Sequence, residues 1–153
     1  MKSLSNPDDK AELVRRLRSV RPESKRRWGK MTPHQMICHL SDGYLVYSGE
    51  KKVAFPRLYL PRPLLRWFAV WVPLPWPHGF PTAPELDQQA GGGTPPLEFE
   101  RDARELERLI ERFAQLPADH SWPAHPAFGR MSPAEWMRLG YLHADHHFRQ
   151  FSA

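Results

Sequence analysis

All-α is the class this sequence predicts, and in its finer form a four-helix bundle running up-down-down-up, with a long crossover between the second and third helices. Three observations predict it. Four segments open on helix-capping patterns, apolar residues within them recur at steps of three and four, and strand signals are nearly absent. The one β-rich stretch, "FAVWV" at 68–72, is short and hemmed by prolines.

The first helix opens at "NPDDKAELVRRLRSV", with Asn6 as N-cap, Pro7 at the first helical position and acids in the first turn. Ala11, Leu13, Val14, Leu17 and Val20 form its apolar stripe. The second opens at "MTPHQMICHL", where Thr32, Pro33 and Gln35 make a capping box, and runs to about Gly49. The third opens within "GTPPLEFERDARELERLIERF", with Phe99, Ala103, Leu106, Ile110 and Phe113 as its seam. The fourth opens at "MSPAEWMRLG", again with a cap, a proline and an acid in Ser132, Pro133 and Glu135. Its start echoes that of the second helix, a likeness that shared capping rules alone produce.

Between the second and third helices lie about 45 residues, from Glu50 to Thr94, crowded with Pro56, Pro61, Pro63, Pro73, Pro75, Pro77, Pro81 and Pro84. A connection of that length can span a bundle and return the chain in the same direction. Its Trp67, Phe68, Trp71 and Trp76 are too many to leave in water, which predicts a short helix packed over one end of the core. The closing "AGGGTPP" reads as a flexible lead into the next helix; it lacks the lysine and preceding strand of a phosphate-binding loop.

Hydrophobic content of 41% and charged content of 25% in 153 residues fit one globular domain spanning 1–153 and exclude disordered and fibrous classes. A single cysteine, Cys38, excludes an internal disulfide, and the opening residues lack a secretory pattern, so the expected location is cytoplasmic. Arg66 and three prolines interrupt the most apolar stretch, 64–77, before the roughly 20 residues of a membrane span. With Arg57, Arg62 and Arg66 nearby, its aromatics suit at most a membrane surface or a dimer contact. The net charge of +5 concentrates in Arg15, Arg16, Arg18, Arg21, Lys25, Arg26, Arg27 and Lys30. A solvated helix face is the favoured reading. The alternative is a non-catalytic helical module binding nucleic acid or an anionic surface through this run, although no base-reading motif accompanies it.

The chemistry gathers in "YLHADHHFRQF", 141–151. On a helix His143 and His147, four apart, lie about 40° from each other and one turn in rise, so they can converge on one ion; His146 stands about 100° away. Their stripe also holds Trp136, Gly140 and Gln150. The third ligand expected is His39 on the second helix, in a stripe with Met36, Gly43 and Val46. His39 lies six residues from the start of its helix and the pair six from the end of its own, so an antiparallel arrangement brings them to one level; parallel helices with flush starts separate them by roughly 9 Å.

Three imidazoles leave an ion an open position, the catalytic rather than structural pattern. Asp42, one turn past His39, is the candidate base or imidazole-orienting group, ahead of Asp145. Cys38 points about 100° from His39 and reads as a small core residue. His78 and Glu85 are candidates for the pocket mouth, whereas His34, His120 and His125 read as surface groups.

These residues, in "HADHHFRQ", "GKMTPHQMICHLSDGY" and "GFPTAPEL", resemble the DinB-like superfamily of metalloenzymes, and one of its bacterial branches most. The resemblance covers nearly the whole chain. It implies a four-helix bundle with a divalent metal, zinc or nickel, held by three histidines, which carry over as His39, His143 and His147. It also implies a small-molecule substrate and, as in some relatives, a thiol-dependent transferase or isomerase using a low-molecular-weight thiol. The tryptophan- and proline-rich crossover departs from the better-known relatives. The sequence does not decide between monomer and homodimer.

Overall fold

A computed structural model describes residues 1–54, 60–79, 82–117 and 119–153. Pro56, Arg57 and Pro81 of the crossover, and Phe80 of the "GFPTAPEL" motif, lie outside the described residues. The described chain is all-helical: α1 Pro7–Ser19, α2 Pro33–Tyr47, α3 Arg62–Trp71, α4 Phe99–Ala114 and α5 Pro133–Gln150, with one 3₁₀ turn at Pro84–Leu86. The four capped segments of the sequence are thus α1, α2, α4 and α5, and α3 is the short helix of the crossover. Among the described residues there is no strand, only a single bridge between His125 and Gly129.

The caps form as their side chains dictate. The Asn6 side chain accepts from the backbone N–H groups of Asp8 and Asp9, and complete capping boxes close the starts of α2, Thr32 with Gln35, and α5, Ser132 with Glu135. The start of α4 differs from expectation. Its cap is Glu98, whose carboxylate accepts from the backbone N–H groups of Glu100 and Arg101, while Thr94, at the head of that segment, bonds to Asp42.

Side-chain contacts fix the helix directions. Along α2 and α5, His39 meets His147, Gly43 meets His143, Tyr44 donates to the Gly140 carbonyl and Tyr47 packs on Trp136, an antiparallel register. His34 with Phe99 and Tyr47 with Phe113 set α2 and α4 parallel. Lys10–Glu111 and Arg18–Glu107 set α1 and α4 antiparallel, and Leu4–Met137 followed by Arg16–Asp145 sets α1 and α5 parallel. The core between them holds Leu13, Leu17, Met36, Ile37, Leu40, Tyr44, Leu106, Ile110, Phe113, Trp136, Leu139 and Phe148, all buried. Gly140 permits close packing within the core: a Cβ there would meet Leu4, Phe113 and Tyr44 carbons at 2.9, 3.1 and 3.4 Å.

The crossover departs from expectation in two places. α3 lies against α5, but only Val70 of it is buried; Trp67, Phe68 and Trp71 stay 56%, 45% and 39% exposed. One helix on the outside of another can bury only one face, and Arg138 occupies the seam, its guanidinium donating to the Val70 carbonyl and lying over the Trp71 ring. Two glycines of the "GGG", Gly92 and Gly93, are closely packed, and Gly91 is open. A Cβ on Gly92 would stand 1.9 Å from the Pro84 carbonyl oxygen, and Gly93, at φ +77°, brings its backbone against Asp42 and Gln88.

Half of the basic run is tied down within the chain, two of its arginines by acids. Arg16 pairs with Asp145, Arg18 with Glu107, Arg21 donates to the carbonyls of Arg18 and Val20, and Arg26 to those of Lys30 and Met31. No helix among the described residues is long and apolar enough to cross a membrane.

Candidate metal centre

α2 and α5, running antiparallel, carry His39, His143 and His147 to one level between them. One ring nitrogen of each lies within 4.8 Å of those of the other two. The His39 and His143 Nε2 atoms are 3.3 Å apart, and the three rings stand at centroid distances of 4.9–5.2 Å, tilted 70–79° to each other. Gly43 makes room for this, since a Cβ there would come within 3.2 Å of the His143 ring.

Each imidazole is held from behind through Nδ1. His39 Nδ1 lies 3.1 Å from the Leu86 carbonyl, His143 Nδ1 2.9 Å from the Tyr47 hydroxyl, and His147 Nδ1 3.0 Å from Gln150 Oε1, whose amide nitrogen donates in turn to the Trp28 carbonyl. Carbonyl oxygens only accept, so His39 and His147 carry their protons on Nδ1 and turn bare Nε2 lone pairs inward. Tyr47 can donate or accept and so allows the same state at His143. Burial drives all three imidazoles below their ordinary pKa, with the neighbouring histidines lowering His143 and His147 further, and this holds them neutral.

That donor set fits a transition metal. Two nitrogens each about 2.05 Å from one ion at a tetrahedral angle stand about 3.3 Å apart, the separation found between His39 and His143. The Nδ1 partners are the outer shell that fixes tautomer and ring orientation in such sites.

Around the histidines lies a cavity of about 590 Å³, walled by Trp28, Val53, Trp76, Leu86, Phe128 and the His146 ring. His146 stays outside the trio, as its angle predicted, and faces Trp28 and Trp76; burial lowers its pKa to about 4. His78 stacks on Trp28 at 4.2 Å and is not among the residues that line the cavity. Glu85 accepts from the Ala54 N–H and does not line the cavity; Ala83, Leu86 and Asp87 of the same segment do.

Asp42 acts on the His39 imidazole through its charge, but its own hydrogen bonds go elsewhere. Fully buried, it accepts from the Thr94 N–H and hydroxyl at 2.7 and 2.8 Å and pairs with Lys51 at 2.7 Å. It therefore ties both ends of the crossover to α2, and no hydrogen bond joins it to a histidine among the described residues. Asp145 is likewise engaged, by Arg16 and Arg149. Cys38 is a core residue as expected, its thiol pushed up to about 12 by burial. His34 is half-buried rather than a surface group, 2.8 Å from Asp102, and with Cys38 these make a second group of ligand-type side chains. His120 reaches the Ser48 carbonyl at 3.2 Å, and His125 sits in the cavity wall rather than at the surface.

Sequence reasoning passed over Tyr47 and the Leu86 carbonyl. Tyr47 was within reach of it, four residues beyond Gly43 on the stripe of His39; nothing in the sequence points to a carbonyl 47 residues away.

A model of the family described as protein of unknown function (DUF1569) matches residues 53–153, a span that holds His143 and His147 but begins after His39. No curated protein and no solved structure matches the chain.

Proposed function

The chain belongs to the DUF1569 family, whose description carries no function, and from the geometry of its three histidines we propose that it is a divalent-metal-dependent enzyme of the DinB-like type. In this reading α1, α2, α4 and α5 count as the four-helix bundle, and its metal site lies between α2 and α5. His39, His143 and His147 hold the ion, zinc or nickel; imidazole donors suit either. The substrate is a small molecule taken into the adjoining cavity, whose volume lies in the usual range for such ligands. The reaction class is hydrolysis or transfer to a low-molecular-weight thiol.

One observation carries the proposal: buried acceptors hold the Nδ1 protons of His39 and His147, which turns inward-facing Nε2 lone pairs toward one another. With the His143 Nε2 3.3 Å from that of His39, and one nitrogen of each ring within 4.8 Å of the others, the gathered lone pairs repel one another unless a cation or a proton lies among them. When bound, the ion supplies Lewis-acid chemistry, lowering the pKa of a coordinated water or thiol. The chain's own part is positional. Leu86, Tyr47 and Gln150 fix the imidazole planes, and Trp28, Trp76 and Phe128 make an apolar wall that limits water.

The test is metal content. Full-length protein reconstituted with zinc or nickel and desalted should retain about one ion per chain by elemental analysis. The His143→Ala/His147→Ala variant should retain none while keeping its helical circular dichroism. Equal metal content in the two proteins would refute the reading.

A further inference from the structure

We infer that His125 is a fixed hydrogen-bond donor in the cavity wall, and that the cavity's ligand carries a carbonyl or carboxylate oxygen on a flat apolar frame. The inference rests on reading the cavity as the substrate chamber.

His125 opens a tight turn, exchanging backbone hydrogen bonds of 2.8 Å with Gly129, which has φ +73°. Inside that turn the His125 Nδ1 lies 3.1 Å from both the Ala127 and Phe128 backbone nitrogens. A backbone N–H only donates, so Nδ1 must accept, and in a neutral ring the proton is then on Nε2. Burial keeps the ring neutral, lowering its pKa to about 3. The Phe128 ring, stacked 4.3 Å away and nearly parallel, holds the imidazole plane, and the Trp136 ring lies 5.5 Å off.

The opposite, Nε2 end is the free edge of a ring that lines the same cavity as the metal-centre histidines. Among the described residues none accepts its proton. The Tyr47 ring lies between the two groups, 6.1 Å from His125 and 6.0 Å from His143. One chamber therefore presents lone pairs on one side and a permanent neutral donor on the other.

His125 is only half-buried, so its Nε2–H faces the cavity, where a ligand oxygen can take the place of water as its acceptor. The remaining walls narrow the class. Trp28, Trp76, Leu86 and Phe128 offer flat or aliphatic surface, and among the described residues Lys30 is the only lysine or arginine on the wall. A phosphorylated ligand would call for paired cationic donors, whereas a carbonyl or carboxylate needs a single N–H.

The test uses full-length protein labelled with [¹⁵N]histidine, with and without zinc, and benzoate as the probe. His125 should show the neutral Nε2–H tautomer between about pH 5 and 8, and benzoate should shift that signal. His125→Asn supplies a side-chain oxygen for the same two backbone N–H groups, as in an Asx turn, but stops short of the cavity. It should bind benzoate about tenfold more weakly. A proton on Nδ1, a signal that benzoate leaves unmoved, or equal affinity in His125→Asn would each overturn the inference. Zinc stoichiometry in the same samples reports on the metal centre separately: benzoate response without zinc binding sinks the metal reading alone, and zinc binding without benzoate response sinks this one alone.

Discussion

Removing the Tyr47 hydroxyl separates a designed outer shell from a chance gathering of histidines. In Tyr47→Phe the ring keeps its packing against Tyr44, Phe113 and Trp136, and only the group 2.9 Å from His143 Nδ1 is lost. Tyr47 is buried, so water does not readily take the hydroxyl's place. With an ion on Nε2 the imidazole proton must sit on Nδ1, where it is orphaned at a cost of about 1–3 kcal/mol. The metal-free protein escapes part of this, because His143 can place its proton on Nε2 and donate to His39 Nε2, 3.3 Å away. The penalty falls on the loaded state and converts to metal affinity weaker by roughly 10- to 100-fold. The assay is competition with a chromophoric chelator at fixed pH, with the thermal midpoint of metal-free protein as control. Affinity within a factor of about two of wild type, or a loss matched by equal destabilisation of the metal-free fold, would refute the reasoning.

Asp42→Ala should leave metal stoichiometry unchanged yet destabilise the protein by about 2–3 kcal/mol, since Thr94 and Lys51 lose a buried partner; urea titration beside metal analysis checks both, and lost metal with an unchanged midpoint would return Asp42 to the site. Gly43→Ala places a Cβ within 3.2 Å of the His143 ring and should weaken metal binding severalfold while the helical spectrum persists, measured by the same chelator competition. The pH dependence follows from the buried histidines: His39, His143 and His147 are lowered by burial, and His125 and His146 have folded pKa values of about 3 and about 4, below the ordinary 6.5. Protons then bind the unfolded chain first, so stability is fully present above about pH 6.5 and falls as pH drops toward 4, by at most about 1.4 kcal/mol per pH unit for each group. Denaturant midpoints of metal-free protein across that range should decline, and a flat profile would contradict the burial of these rings.

What the sequence made legible was whatever rests on local chemistry and helical period. Asn6 and the Thr32 and Ser132 boxes act within one turn, and the stripe of Phe99 to Phe113 repeats by helical period alone, so both can be read without the tertiary fold. The meeting of His39 with His143 and His147 was legible because antiparallel level is simple arithmetic once helix starts are known. Asp42 shows where that reasoning ends. It lies one turn from His39, and its partners, Thr94 and Lys51, come from the two ends of an irregular crossover whose path no periodicity encodes. His125 was misplaced for the same reason: a loop histidine between prolines looks solvated until the turn that folds its Nδ1 onto Ala127 and Phe128 is seen. Trp67 and Phe68 were misjudged differently, because counting aromatics says what should be covered but not whether a neighbouring surface exists to cover them.

The central claim, that imidazoles of α2 and α5 grip one ion through Nε2, is tested most directly by X-ray absorption at the zinc edge of stoichiometrically loaded protein. The account predicts three imidazole shells with first-sphere nitrogens at about 2.0–2.1 Å, reduced in number by His39→Ala. A spectrum of oxygen donors without imidazole scattering, or one that His39→Ala leaves unchanged, would contradict it.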